Sequence, residues 1–94
     1  MSNTAPVFIH NTTDDEYELH IGDQVARIQY ELRGNKIILI HTEVPEALQG
    51  KGLASQLMEK ALTDIEQDGL KVIPTCAFAA DYFKKHPGWK HLLP

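Results

Sequence analysis

Apolar and polar residues alternate through the first third of the chain, and the period then changes once. Tyr17, Leu19 and Ile21 alternate with Glu16, Glu18 and His20, and Ala26, Ile28, Tyr30 and Leu32 alternate with Arg27, Gln29, Glu31 and Arg33. A period of two places each set on its own face of a strand, so both runs read as half-buried β-strands. Gly22-Asp23 and Gly34-Asn35 follow the two runs, where a tight hairpin needs a residue that takes positive φ without a Cβ clash. The next run, Ile37 to Val44, starts apolar on both faces, as a strand covered from both sides would. With a short first strand near Val7–Ile9, these runs predict an antiparallel meander. Beyond Gly52 the period becomes helical: Leu53, Ala54, Leu57, Met58, Ala61, Leu62 and Ile65 fall on one stripe, and Gly69 can close the helix in the left-handed conformation. A strand over Leu70–Thr75 and a short helix around Ala77–Lys85 follow, ended by His86-Pro87-Gly88. The class is α+β.

Composition sets the scale. With 43% hydrophobic and 23% charged residues, positions 1–94 read as a single soluble globular domain, in which only about 60–65% of the unfolded surface can be buried. The lone cysteine, Cys76, excludes an intramolecular disulfide framework. No apolar run approaches the roughly 20 residues of a membrane span, and the first residues lack a basic flank and a secretory apolar region. A cytoplasmic location without a membrane partner is expected. The net charge of -4, with acids at Asp14, Asp15, Glu16 and Glu18, argues against nucleic acid as a partner. Those acids suit either a cationic partner or a plain solvated face.

The stretch Gln49-Gly50-Lys51-Gly52-Leu53-Ala54 lies at the mouth of the long helix. A helix start leaves its first N–H groups unpaired and carries roughly half a positive charge, so it attracts an anion wherever the loop lets backbone come close. The spacing discriminates among phosphate loops. A nucleotide P-loop needs a Ser or Thr after its lysine, and here Gly52 follows Lys51. A dinucleotide fingerprint needs a third Gly or Ala at Ser55 and a parallel unit upstream, and both are missing. Taken alone, the loop could merely turn the chain tightly into the helix.

The segment "HTEVPEALQGKGLASQL" resembles motif A of the GNAT N-acetyltransferase superfamily, with Gln49, Gly52 and Ala54 at its signature positions. The resemblance covers about Ile37 to Trp89. It is nearest to the very short YjdJ-type members, through the run "HTEVP", the cysteine after the following strand, and a terminal His-Pro with a nearby tryptophan. It implies a truncated GNAT-like fold: a meander of four strands, a phosphate loop and helix, a fifth strand parallel to the fourth and splayed from it, and a short C-terminal helix. It further implies acetyl-CoA as cofactor. Val44, Gln49, Gly50, Lys51, Gly52, Leu53, Ala54 and Ser55 would surround the pyrophosphate, and Ala79 would let the second helix come close to the cofactor. Pro74, lacking an N–H, independently suits a place where pairing has already stopped.

The departures from the family also matter. Members usually begin with helices that shape the acceptor site and end with two further strands; this chain has room for neither. The acceptor site would therefore be open, or completed by a second copy or a partner protein. Pro45 to Gln49 holds one residue more than the usual spacing. The family tyrosine that protonates the departing thiolate falls at Phe83, which cannot do so, and Tyr82 points about 100° away. The candidate replacements are Cys76, where the thioester should lie, and the pair His41 and Glu43, two apart on one strand face. Histidine is a common general base, Glu43 could orient it, and the competing reading of His41 is strand packing. Thr42 faces the other way and receives no role. His10, His20, His86 and His91 read as surface or tail residues, and no metal ligands are assigned. Two functions follow: acetyl transfer to an unidentified amine, directly or through Cys76, or a catalytically idle acyl-CoA-binding or interaction module.

Overall fold

Both glycine hairpins form where the alternation breaks. In the computed structural model, which describes residues 5–94, the strands β1 (Val7–Asn11), β2 (Glu16–Ile21), β3 (Gln24–Arg33) and β4 (Lys36–Glu43) pair antiparallel in succession. Gly22 and Gly34 each take φ of 61° at the two-residue turns. Asn11 makes the first turn, its Oδ1 accepting the N–H groups of Thr13 and Asp14 at 3.1 and 3.0 Å. Helix α1 (Leu53–Gln67) then crosses to β5 (Lys71–Pro74), which pairs parallel to β4, and α2 (Ala77–Lys85) follows. The sheet order is β1-β2-β3-β4-β5.

The helical stripe packs as its spacing dictates. Leu57, Met58, Ala61, Leu62 and Ile65 are fully buried, against Tyr17, Leu19, Ile28, Tyr30, Ile37, Leu39 and Val72 of the sheet. Ala79, Tyr82 and Phe83 of α2 join the same cluster. Gly69 takes φ of 71°, and α1 ends with Gly69 N–H on Glu66 O and Leu70 N–H on Ile65 O, at 3.0 and 3.2 Å, a Schellman closure.

Two expectations change. Both helices cover one face of the sheet, so β4 is not covered from both sides: Ile40 is 47% exposed. Its apolar run marks a bulge instead, since the β3–β4 register jumps from Gln29↔His41 to Tyr30↔Leu39 and leaves Ile40 without a partner. Helix α2 ends at Lys85, as His86-Pro87-Gly88 predicts, and a 3-10 segment, Pro87–Leu92, follows it, because proline suits a helical first turn and Leu92 reaches the core. His10 is not a surface residue. β1 runs on to Asn11, so His10 faces inward opposite Tyr17, stacked on its ring with centroids 4.3 Å apart.

Candidate functional site

The loop between β4 and α1 is assembled from short-range contacts. The extra residue after Pro45 is taken up by a 3-10 turn, Glu46–Leu48, whose Leu48 is buried. Gln49 Nε2 donates to the Val44 carbonyl at 3.1 Å and ties the loop's two ends together. Gly50 and Gly52 then take φ of 77° and 75°. A Cβ at either would meet no atom within 4 Å, so the left-handed backbone, and not crowding, requires glycine.

Gly52 sits at the N-cap of α1 with no side-chain cap bond and no acidic residue in the first turn. The first bond into the helix is Gln56 N–H to Gly52 O at 3.1 Å. The N–H groups of Leu53, Ala54 and Ser55 precede it and have no acceptor within the helix. Lys51 and Ser55 are exposed, while Leu53 and Ala54 are half-buried. This is an arrangement of donors suited to an anion.

The second feature lies where β4 and β5 part. Their pairing runs from Lys36↔Lys71 to Leu39↔Pro74 and ends there, so Pro74 is the last paired residue and not the first beyond the ladder. The Leu39 carbonyl accepts from Thr75 N–H at 3.1 Å, Cys76 N–H at 3.2 Å and the Thr75 hydroxyl at 2.8 Å. Those three bonds turn the chain out of the sheet and place Cys76 at the N-cap of α2. Thr42 Oγ1 lies 3.4 Å from Cys76 Sγ.

Thr42 pairs with Ile28 on the helix-covered face, whereas His41 and Glu43 pair with Gln29 and Arg27 on the open one. Glu43 Oε1 stands 3.8 Å from Arg27 Nη1. The structure therefore brings Cys76 together with Thr42, and leaves His41 and Glu43 across the strand from both. Ala79 is fully buried beneath α2. Phe83 is buried with it, and burial, reinforced by Glu59, holds the proton on the Tyr82 hydroxyl.

Strand alternation, which puts Thr42 opposite His41, was legible in sequence. The arrival of Cys76 on Thr42's side was not, because it depends on the turn at Leu39. Sequence also hid a carboxyl pair on the open face, Glu16 and Glu18, each only 7% exposed. Asn11 Nδ2 and His20 Nε2 contact Glu18 at 2.9 and 2.7 Å. Burial and the hydrogen bond with Glu18 push Glu16 up to about 7 against the pull of Arg27. That same bond, with help from Asn11 and His20, holds Glu18 down at about 2 despite burial.

A sheet of this order, with a glycine loop feeding the crossover helix and a parallel fifth strand, defines a GNAT-like α+β fold. Residues 16–92 match the family described as GCN5-related N-acetyl-transferase, and the chain belongs to it. It is 40% identical over 63 residues to Protein NATD1 of Gallus gallus, covering 66% of this chain and 57% of that one. The Homo sapiens Protein NATD1 is also 40% identical over 63 residues, with 66% and 56% covered; the chain thus spans just over half the length of these relatives. The solution structure of a GCN5-like protein from Staphylococcus aureus superposes with a TM-score of 0.73 at 25% identity, over 100% of this chain and 91% of that one. Among the described residues, no helix is long and apolar enough to cross a membrane.

Proposed function

We propose that the chain acts as one acetyl-CoA-dependent N-acetyltransferase domain with an amine as acceptor. The observation that carries this reading is the uncapped start of α1 behind two left-handed glycines, in a chain of this family. The donor set fits a pyrophosphate: the N–H groups of Leu53, Ala54 and Ser55 would hold it, with Lys51 adding positive charge. Val44 and Ala79 would flank the pantetheine arm. Acetyl-CoA, when bound, supplies an acetyl group activated as a thioester.

Cys76 is the candidate nucleophile. Its sulfur would take the acetyl group while the departing CoA thiolate takes up the proton that Cys76 loses; an amine would then attack the Cys76 thioester, and the released Cys76 sulfur would recover a proton from the amine nitrogen. In direct transfer the same thiol would instead donate its proton to the leaving thiolate. His41 and Glu43 lie on the opposite face of β4 from Cys76, so they would serve as base and orienting group only for an ammonium acceptor that enters the gap between β4 and β5 from the open face of the sheet. A second copy or a partner protein would complete the acceptor site there.

Calorimetry with CoA and with dephosphorylated pantetheine tests the cradle. CoA should bind far more tightly, and equal affinity for the two would sink the reading. The other reading, an idle acyl-CoA-binding module, draws on Phe83, which is buried and carries no hydroxyl. Absence of both acetyl-CoA hydrolysis and transfer to any of a panel of amines, in protein that binds CoA, would favour it.

A further inference from the structure

Three ligand-type side chains converge at the end of α1 remote from the glycine loop. His10, Asp64 and Asp68 each offer one donor atom, and these atoms all lie within 4.8 Å of one another. Asp64 and Asp68 are four apart on α1, where like charges face and repel each other. Asp68 also caps the C-terminus of the helix, the negative end of its dipole. Both effects oppose two carboxylates here, and a cation between them reverses both.

His10 supplies a nitrogen to the same point. Its Nδ1 is 3.0 Å from Asp64 Oδ2, yet that oxygen is buried with no aligned hydrogen bond. Two donor atoms that converge on a third point, and not on each other, stand in this relation. Ligand bonds of about 2.1 Å meeting at between a right angle and a tetrahedral angle separate their donor atoms by about 3.0–3.4 Å. The other ring nitrogen, Nε2, is held by the Tyr30 hydroxyl at 2.7 Å, the kind of outer contact that fixes the ring of a ligating histidine.

Tyr17 supplies an independent pointer. It is 0% exposed, and its hydroxyl has no hydrogen-bond partner, an arrangement that folded proteins rarely leave unmet. Its ring lies against His10 with centroids 4.3 Å apart and planes 25° from parallel. Its ring also packs on Tyr30, whose hydroxyl holds His10, with centroids 5.1 Å apart, so the unpartnered hydroxyl lies in the neighbourhood of the His10 imidazole. A water bound to a cation at that point would be the partner this hydroxyl lacks.

We infer that His10, Asp64 and Asp68 form a binding site for a first-row divalent cation, with Tyr17 holding a metal-bound water. One imidazole and two carboxylates suit Zn2+ or Mn2+, and three protein donors leave positions for water. The ion joins the edge strand β1 to the last turn of α1, away from the acetyl-transfer loop.

Chelator-treated protein comprising residues 1–94, titrated with ZnCl2 by calorimetry and with MnCl2 by amide NMR, tests this. One Zn2+ per chain should bind, and Mn2+ should broaden amides of Ile9–Asn11, Tyr17 and Thr63–Gly69 before any others. Asp68→Asn, at an exposed position, should weaken Zn2+ binding by roughly tenfold or more. His91→Gln, which removes a separate surface contact with Glu66, should leave it unchanged. The assignment is overturned by an absence of saturable binding at millimolar metal. It is equally overturned if Asp64→Asn and Asp68→Asn bind as wild type, or if the broadening centres elsewhere.

Discussion

Glu16 and Glu18 give the open face of the sheet a pH response of their own. A carboxyl whose pKa is raised in the folded protein binds more protons folded than unfolded, so stability falls as pH rises from its ordinary value to its folded one. For Glu16 that interval runs from about 4.5 to about 7. Glu18 works in the opposite sense, and its stabilisation is lost as pH falls from about 4.5 to about 2. Urea denaturation across pH 4.5–7 should show Glu16→Gln losing less stability than wild type, because the amide has no proton to release. A parallel decline in both proteins would separate the decline from this carboxyl. Cys76 has a different readout at the same scale. If its sulfur carries the acetyl group, intact-mass measurement after mixing with acetyl-CoA should show an adduct that Cys76→Ala lacks. Thr42→Val should change the rate of adduct formation while leaving CoA affinity unaltered, since Thr42 Oγ1 touches the sulfur at 3.4 Å. Of these residues, sequence pointed to Cys76 through its family resemblance alone, and to neither member of the carboxyl pair. Burial of an acid on a strand cannot be read from alternation, which assigns faces but not what lies over them.

Among the elements, α1 and the two hairpins were legible because each is written locally, in a periodic stripe or a glycine at a turn. The bulge at Ile40 and the clamp on the Leu39 carbonyl were not. Both arise from pairing between segments far apart in sequence. The same distinction separates two kinds of substitution in α1. Gly52→Ala meets no neighbour but must hold φ of 75°, so its cost is conformational and should be about 1–2 kcal/mol in urea unfolding. Leu57→Ala opens a cavity under a fully buried side chain and should cost about 2–5 kcal/mol by the same measurement. The two variants should also divide in their binding of CoA. Gly52→Ala disturbs the loop proposed to hold pyrophosphate, whereas folded Leu57→Ala retains it.

At the scale of the whole molecule, two helices over one face of a five-stranded sheet leave the other face to a mixture of polar side chains, Glu16, Glu18, His20, Arg27 and Glu43, and exposed apolar ones, Val7 and Ile9. The α+β architecture was legible from the order of elements, but the one-sided covering was not, since the apolar start of β4 suggested otherwise. The strand order carries a further consequence. Because β1 to β5 stand side by side in the order in which they occur along the chain, four of the five strands find their partners across turns of a few residues. Only β5 must wait for a helix to bring it back. Loop closure over short separations costs little entropy, and chains rich in such neighbours cross their folding barrier quickly. Refolding from urea should accordingly be fast for a mixed α/β chain, within milliseconds to tens of milliseconds. Substitutions such as Ile28→Val in the central hairpins should slow it more than Val72→Ala in β5, which should mainly hasten unfolding. Stopped-flow fluorescence on the two variants separates these limbs.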